Sequence, residues 1–169
     1  STVMLALQHG LAVAGGRPLY PADIRATIDA ASRPRILVTT PVHIRALLAG
    51  AVGVPPVDLV LSATAPLSVT LAALAEARFR APLMEIYGCT EAGQVAARRT
   101  VATEVWQTFG AMRIYSEGAP PAESDGADER FFVQGGPVSR PTPLADLLRL
   151  DDARHFRLLG RANDLIHVA

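Results

Sequence analysis

Three residues at the end of an apolar segment, with a glycine among them, carry side chains that could do chemistry. The run ends in Tyr87 and Gly88 and leads, after one cysteine, into Thr90 and Glu91. Thr90 can donate a hydrogen bond to a phosphate-like oxygen, and Glu91 can hold a hard cation such as Mg²⁺. Tyr87 offers a flat ring to a base or an aromatic substrate, and Gly88 lets the backbone turn where a side chain would obstruct it. These types suit a nucleotide with its metal, although a plain strand-ending turn also commonly contains Gly, Thr and Glu.

The elements that must position these residues alternate between two kinds along the first half of the chain. Short, branched, apolar segments predict strands at 11–16, 35–40, 57–64 and 83–88. Ala-rich segments with helical spacing lie between them at 21–32, 41–50 and 67–80. Pro21 and Pro41 stand where helices would begin, and the spacing puts Leu71, Leu74 and Ala75 on one face of the third helix. This order predicts a parallel sheet with crossover helices, whose ligands bind beyond the carboxyl ends of the strands.

The pattern changes after Gly93. Four further segments look like strands without intervening helices: 95–100, 130–136, 145–150 and 156–161. Residues 116–130 are rich in Gly, Pro, Ser and acid and predict an exposed connection. The fold class is therefore α/β, with a parallel α/β subdomain over 1–94 and a smaller, mainly antiparallel β-rich subdomain over 95–162.

Composition narrows the possible functions. Half of the 169 residues are hydrophobic, and the formal net charge is zero. The chain therefore lacks the excess of positive charge that is expected of a nucleic-acid-binding protein. Cys89 is the one cysteine, so no internal disulfide can form and a reducing compartment is expected. The first residues imitate a signal peptide, but Gln8 and His9 interrupt the apolar run, so we expect a cytoplasmic protein without a membrane span. All sixteen basic side chains are arginines, and no lysine is present.

Three motifs, in order along the chain, resemble those of the adenylate-forming acid ligases, the superfamily of acyl- and aryl-CoA synthetases and peptide-synthetase adenylation domains. Residues 87–91, Tyr-Gly-Cys-Thr-Glu, resemble the family's Tyr-Gly-x-Thr-Glu motif. Residues 61–68, Leu-Ser-Ala-Thr-Ala-Pro-Leu-Ser, look like its Ser-Gly-Gly-Ala-Pro-Leu-Ser segment. Residues 156–168, Phe-Arg-Leu-Leu-Gly-Arg-Ala-Asn-Asp-Leu-Ile-His-Val, look like its Gly-Arg-x-Asp-Asp-x-Ile-Lys segment. The resemblance spans nearly the whole chain and is loosest between Thr100 and Pro143.

The resemblance implies a role for each matching position. Thr90 would contact the α-phosphate region of ATP or of an acyl-adenylate, and Glu91 would place Mg²⁺, so these two are the catalytic candidates. The remaining candidates would bind nucleotide: Tyr87 and Gly88 beside the adenine and acyl pockets, Ala63, Thr64 and Ala65 facing the adenine, Asp146 on both ribose hydroxyls, and Arg161 on the ribose and phosphate. Asn163 would stand at the hinge of a carboxy-terminal domain that begins within 163–169.

By the same resemblance, the parent protein would activate a carboxylic acid with ATP and pass the acyl group to a thiol, either of CoA or of an acyl carrier protein. The family's phosphate-binding loop lies upstream of Ser1, and its catalytic lysine lies beyond Ala169. Losing a charge aimed at the transition state typically costs about a hundredfold or more in rate. We therefore expect the chain by itself to be an inactive internal fragment of such a ligase.

Other interpretations remain open at this stage. The chain could be a non-catalytic module that binds adenylate or a partner protein, or an inert α/β domain. Tyr87 could cap the core, Asp146 could cap a turn, and Arg161 could pair with Asp164. Cys89 is read as a buried filler rather than a nucleophile, because no histidine lies near it in sequence.

Overall fold

A computed structural model describes residues 10–16, 18–50, 53–118 and 130–161. The chain divides into two compact units, the first formed by 1–86 with 99–103 and the second by 87–98 with 104–169. The sequence pattern suggests a boundary after residue 94, whereas the contacts assign Tyr87–Arg98 to the second unit. The turn that carries Thr90 and Glu91 therefore belongs to the β-rich unit.

The first unit is built from three helices and three parallel strands in its described residues. In chain order these are α1 (Pro21–Ala30), β1 (Ile36–Thr39), α2 (Pro41–Ala49), β2 (Leu59–Ser62), α3 (Val69–Phe79) and β3 (Leu83–Cys89), whose last three residues belong to the second unit. β1 pairs with β2 from Ile36↔Leu59, and β2 pairs with β3 from Val60↔Leu83, both in parallel. The predicted parallel α/β architecture is confirmed.

Local chemistry explains where the helices begin and end. Pro21 and Pro41 lie in the first turns of α1 and α2, where a missing backbone N–H leaves no bond unmade, as predicted. Ser68 caps α3 by accepting a hydrogen bond from the amide of Leu71 at 3.2 Å. Arg80 ends α3 with φ of 53°, the left-handed conformation common at helix C-termini.

Two sequence predictions in the first unit are wrong. Residues 11–16 form no strand, so Tyr87 lies in the third parallel strand of the described chain rather than at the end of a fourth. Leu74 is 56% exposed, and α3 instead buries Ala72, Ala75 and Phe79. The small alanines let the helix pack closely against the sheet, so the buried face follows them rather than the larger leucine.

The second unit is an antiparallel β structure. Its strands are β4 (Gly93–Arg98), β5 (Trp106–Thr108), β6 (Arg113–Glu117), β7 (Arg130–Gly135), β8 (Val138–Leu144), β9 (Asp146–Leu150) and β10 (His155–Arg161). β4, β5, β10 and β9 are neighbours in that order, and β6, β7 and β8 form a separate three-stranded sheet. Four of these strands match the sequence prediction, while β5, β6 and β8 were not predicted.

Each unit has its own hydrophobic core. Ile44, Leu47, Phe79 and Leu83 are among the fully buried side chains of the first. The second surrounds an aromatic cluster in which the ring centroid of Tyr87 lies 5.7 Å from that of Trp106 and 5.6 Å from that of Phe156. Tyr87 is therefore anchored by its ring at the end of β3.

Candidate functional site

The turn between β3 and β4 presents the two polar side chains that the sequence predicts as catalytic. Thr90 and Glu91 lie in this turn and are both exposed, whereas Tyr87 before them and Val95 after them are buried. The turn is thus held at both ends by packed strands while its tip faces solvent. This arrangement leaves the hydroxyl and the carboxylate accessible to a ligand.

Gly88 is required here by a close approach of the backbone. A Cβ at this position would lie 2.0 Å from the carbonyl oxygen of Gly93 and 2.9 Å from its carbonyl carbon. No side chain fits at that separation, and the obstructing atoms are backbone that cannot rotate away. Gly93 itself has φ of 71°, a conformation that favours glycine. The two glycines together allow the narrow turn that carries Thr90 and Glu91.

Asp146 is joined to this motif by a hydrogen bond. The hydroxyl of Tyr87 donates to Oδ2 of Asp146 at 2.8 Å, across 59 residues of sequence. Asp146 is half-buried at the start of β9, and Tyr87 is only 8% exposed. The ring of Tyr87 is packed in the core, so only its hydroxyl takes part in the polar contacts of the site.

Arg161 is placed opposite Asp146 by the strand register. β9 and β10 pair antiparallel, and Asp146 and Arg161 are partners in the ladder, beyond an irregularity between Leu158 and Gly160. Opposite residues of an antiparallel pair have their Cβ atoms about 4.5–5.5 Å apart. The side chain of Arg161 and the whole of Asn163 lie outside the described residues.

The other predicted nucleotide-binding segment follows β2 in the first unit. The amide of Ala63 donates to the carbonyl of Thr39 at 3.2 Å, and Thr64 and Ala65 are exposed. Thr64 has φ of 80°, which is rare for a β-branched residue. The motif that this segment resembles has glycine at the corresponding position, and glycine adopts this backbone conformation without strain.

Two residues that sequence reasoning missed support this segment. Glu85 is only 3% exposed, and its Oε1 accepts the amide of Leu67 at 3.0 Å while its Oε2 accepts the hydroxyl of Thr100 at 2.8 Å. The sequence signal was present: in β3, alternate positions are buried, and Glu85 shares the buried parity with Leu83 and Tyr87. An acid on the buried face of a strand needs hydrogen-bond partners.

Cys89 packs against the hydrophobic core of the second unit. It is half-buried, and burial raises the pKa of its thiol above the ordinary 9.0, with a smaller contribution from neighbouring Glu91. A raised pKa keeps the thiol protonated near neutral pH, where the thiolate would be the reactive form. This environment disfavours a nucleophilic role.

Within residues 10–16, 18–50, 53–118 and 130–161, no group of three or more His, Cys, Asp and Glu side chains could hold a metal ion. Glu91 could still hold Mg²⁺ together with phosphate oxygens, because Mg²⁺ is commonly bound by one or two carboxylates plus substrate phosphates. None of the helices in the described part of the chain is long and apolar enough to cross a bilayer.

The fold thus defined is of the α/β class, and it is shared with solved enzyme structures. ATP-bound MatB from Rhodopseudomonas palustris matches with a TM-score of 0.66 and 18% identity, over 88% of this chain and 34% of MatB. A benzoate CoA ligase from Burkholderia xenovorans LB400 matches with 0.66 and 17%, over 91% of this chain and 36% of the ligase. Coronafacic acid ligase from Pectobacterium brasiliense matches with 0.66 and 18%, over 95% and 36%.

These neighbours are adenylate-forming ligases, as the sequence motifs suggest. At such low identity the likeness establishes the fold, and the chain spans about a third of the length of each structure it matches. No protein-family model matches the sequence, and no curated protein matches it.

Proposed function

We propose that this chain is the adenylate-binding part of an AMP-forming acid–thiol ligase. The observation that carries the proposal is the hydrogen bond from Tyr87 to Asp146, because it joins the turn of the first motif to the carboxylate expected to hold the ribose. The arrangement suits a ligand that has a vicinal diol and a phosphate. AMP, or the AMP half of an acyl-adenylate, has both.

Each candidate takes a role that its chemistry allows. Asp146 accepts hydrogen bonds from the ribose hydroxyls, since a carboxylate offers about four lone-pair sites. Thr90 donates to the α-phosphate. Glu91 would hold Mg²⁺ together with phosphate oxygens, and that ion would supply positive charge beside the phosphates. Ala63, Thr64 and Ala65 face the adenine.

Arg161 contributes a permanently charged guanidinium group, which donates hydrogen bonds to the ribose and phosphate. Ligation itself belongs, in this proposal, to a longer protein that contains the segment. That protein activates a carboxylic acid with ATP and transfers the acyl group to the thiol of CoA or of a carrier protein. The matched structures include a benzoate CoA ligase and coronafacic acid ligase, and this supports a carboxylic acid substrate.

Isothermal titration of AMP, with and without Mg²⁺, into the purified chain tests the proposal. We expect saturable binding that weakens at least tenfold, or about 1.4 kcal/mol, in Asp146→Asn and in Thr90→Val. The matched controls are Asp29→Asn on the exposed face of α1 and Thr70→Val at the exposed start of α3. Equal affinity for all four variants would contradict these residue roles, and absence of binding to the wild-type chain would contradict the proposed function.

A further inference from the structure

Glu85 places a carboxylate on the buried face of the parallel sheet, where it is only 3% exposed. Its neighbours on the buried face of the sheet are Val60, Ser62 and Leu83, and Ser62 is its register partner on β2. Moving a carboxylate out of water is costly unless hydrogen bonds compensate for the lost hydration. A leucine would fill the position at lower cost, so the carboxylate needs another explanation.

The partners of Glu85 lie on two separate segments of the first unit. Oε1 accepts the amide of Leu67, in the segment between β2 and α3, and Oε2 accepts the hydroxyl of Thr100. Thr100 is itself only 4% exposed. The carboxylate therefore links strand β3 to a loop and to a buried threonine, and its two oxygens both face donors.

The loop that Glu85 holds contains Thr64, a β-branched residue with positive φ. Thr64, with φ of 80°, lies between two backbone amides that are each bonded outside the loop: Ala63 to the carbonyl of Thr39, and Leu67 to Glu85. Strained backbone persists only where the surroundings over-determine it. The bonds at Ala63 and Leu67 supply that constraint, one on each side of Thr64.

We propose that Glu85, assisted by Thr100, is a positioning residue for nucleotide binding, which fixes residues 63–66 in the conformation that receives the adenine. The identity of the ligand rests on the proposed function. The claim that Glu85 fixes the conformation of residues 63–66 does not depend on it. Glu85 touches neither ligand nor reacting atoms. It acts through the backbone of Leu67, and a preorganised loop spares the ligand the cost of ordering it.

Two substitutions at residue 85 separate positioning from plain stability. Glu85→Gln keeps an oxygen for the amide of Leu67 and an amide group for the hydroxyl of Thr100. Glu85→Met keeps the volume and length of the side chain but supplies no comparable acceptor. Methionine removes the desolvation cost of a buried carboxylate, which offsets the loss of its hydrogen bonds from the Leu67 amide and the Thr100 hydroxyl, so the methionine variant is expected to fold.

The experiment combines amide hydrogen exchange by NMR with AMP titration. In Glu85→Met, exchange at Leu67 should accelerate at least tenfold and AMP affinity should fall at least tenfold, while the urea midpoint of unfolding stays near that of wild type. Glu85→Gln should stay within about threefold of wild type in both measurements. Thr100→Val should show a smaller acceleration of exchange and a smaller loss of AMP affinity, and Thr100→Ser should show neither. Thr108→Val is the control, because Thr108 is also buried but its hydroxyl bonds to the carbonyl of Met112 in the other unit.

The outcomes distinguish the two proposals. Unchanged exchange at Leu67 in Glu85→Met would overturn the positioning role, whatever the chain binds. Accelerated exchange with unchanged AMP affinity would reduce Glu85 to a structural residue and overturn the inference. If the wild-type chain binds no AMP, the proposed function fails, and with it the link from this loop to adenine, while the exchange data still decide whether Glu85 holds the loop.

Discussion

The hydroxyl of Tyr87 donates a 2.8 Å hydrogen bond to Oδ2 of Asp146 within the second unit. Tyr87 lies near the end of β3 and has its ring packed against Trp106 and Phe156. Asp146 begins β9. Because the ring of Tyr87 is held in the core, the hydrogen bond from its hydroxyl fixes the orientation of the Asp146 carboxylate. The contact joins a motif at residues 87–91 to a carboxylate far along the chain.

Tyr87→Phe should weaken this arrangement without disturbing the core. The substitution removes one hydroxyl and keeps the ring contacts, so the expected loss of stability is about 1.5–3 kcal/mol, the range for a hydrogen bond to a charged acceptor. Urea unfolding followed by the fluorescence of Trp106 measures it, since Trp106 is the one tryptophan. Tyr115→Phe is the control, because its ring stacks on Phe132. An equal loss in both variants would show that the bond to Asp146 is not the cause.

Gly88→Ala should disrupt the turn that presents Thr90 and Glu91. The added Cβ meets the backbone of Gly93 at 2.0 Å, so the strands must separate, and overpacking of this kind typically costs about 1–3 kcal/mol. Thermal unfolding and the chemical shifts of residues 87–95 report the change. Gly53→Ala is the matched control, because a Cβ there meets nothing within 4 Å and should leave stability unchanged or slightly higher. Comparable effects at both glycines would refute the account of the turn.

Thr64→Gly should stabilise the first unit slightly. At φ of 80° glycine avoids a steric cost of about 1–2 kcal/mol, and part of this gain is offset by the greater freedom of glycine in the unfolded chain. The net expectation is a gain of up to about 1 kcal/mol in denaturant unfolding. Ala65→Gly, at a neighbouring position without positive φ, should be destabilising. A loss of stability in Thr64→Gly would argue against strain at this residue.

The lowered pKa of Glu76 predicts that the first unit loses stability in acid. Hydrogen bonds from Arg99 at 3.0 and 2.8 Å, and from the amide of Leu83 at 2.8 Å, lower the pKa of this carboxyl below its ordinary 4.5. Because the folded pKa lies below the unfolded one, the stabilisation is fully present above about pH 4.5 and is lost as pH falls through the folded value.

The measurement for Glu76 is urea unfolding of wild type and Glu76→Gln across a series of pH values. Glutamine still accepts the Leu83 amide but loses the ion pair, so the stability difference between the two proteins should be constant near neutral pH and shrink below 4.5. Glu117→Gln, at an exposed position in β6, is the control. A difference that stays constant down to the lowest pH would contradict the assignment of the lowered pKa to Glu76.

Much of the architecture follows from sequence periodicity. The three helices and the parallel strands β1 to β3 follow from helical spacing, from short apolar runs and from prolines at the helix starts. Residues 11–16 were misassigned because a short apolar run alone does not distinguish a strand from a loop. β8 was missed because Pro141 and Pro143 argue against a strand, and these prolines are accommodated because β8 lies at the edge of its three-stranded sheet.

The candidate site was predictable in part. Gly88, Thr90 and Glu91 follow from residue types at the end of a strand, and Asp146 comes from the resemblance. The support supplied by Glu85 and Thr100 was not predictable, because it depends on a backbone amide and on a side chain 15 residues from Glu85. The alternation of buried positions along β3 indicates that Glu85 is buried, but it does not identify the residues that bond to its carboxylate.

The most direct measurement compares AMP with 2′,3′-dideoxy-AMP by titration into the wild-type chain and into Asp146→Asn. If Asp146 holds the ribose hydroxyls, the wild-type chain should bind AMP at least about tenfold more tightly than the dideoxy compound, since charged hydrogen bonds are lost. In Asp146→Asn this ratio should fall towards one, mainly through weaker AMP binding. An equal ratio in both proteins, or a wild-type chain that does not distinguish the two ligands, would contradict the central claim.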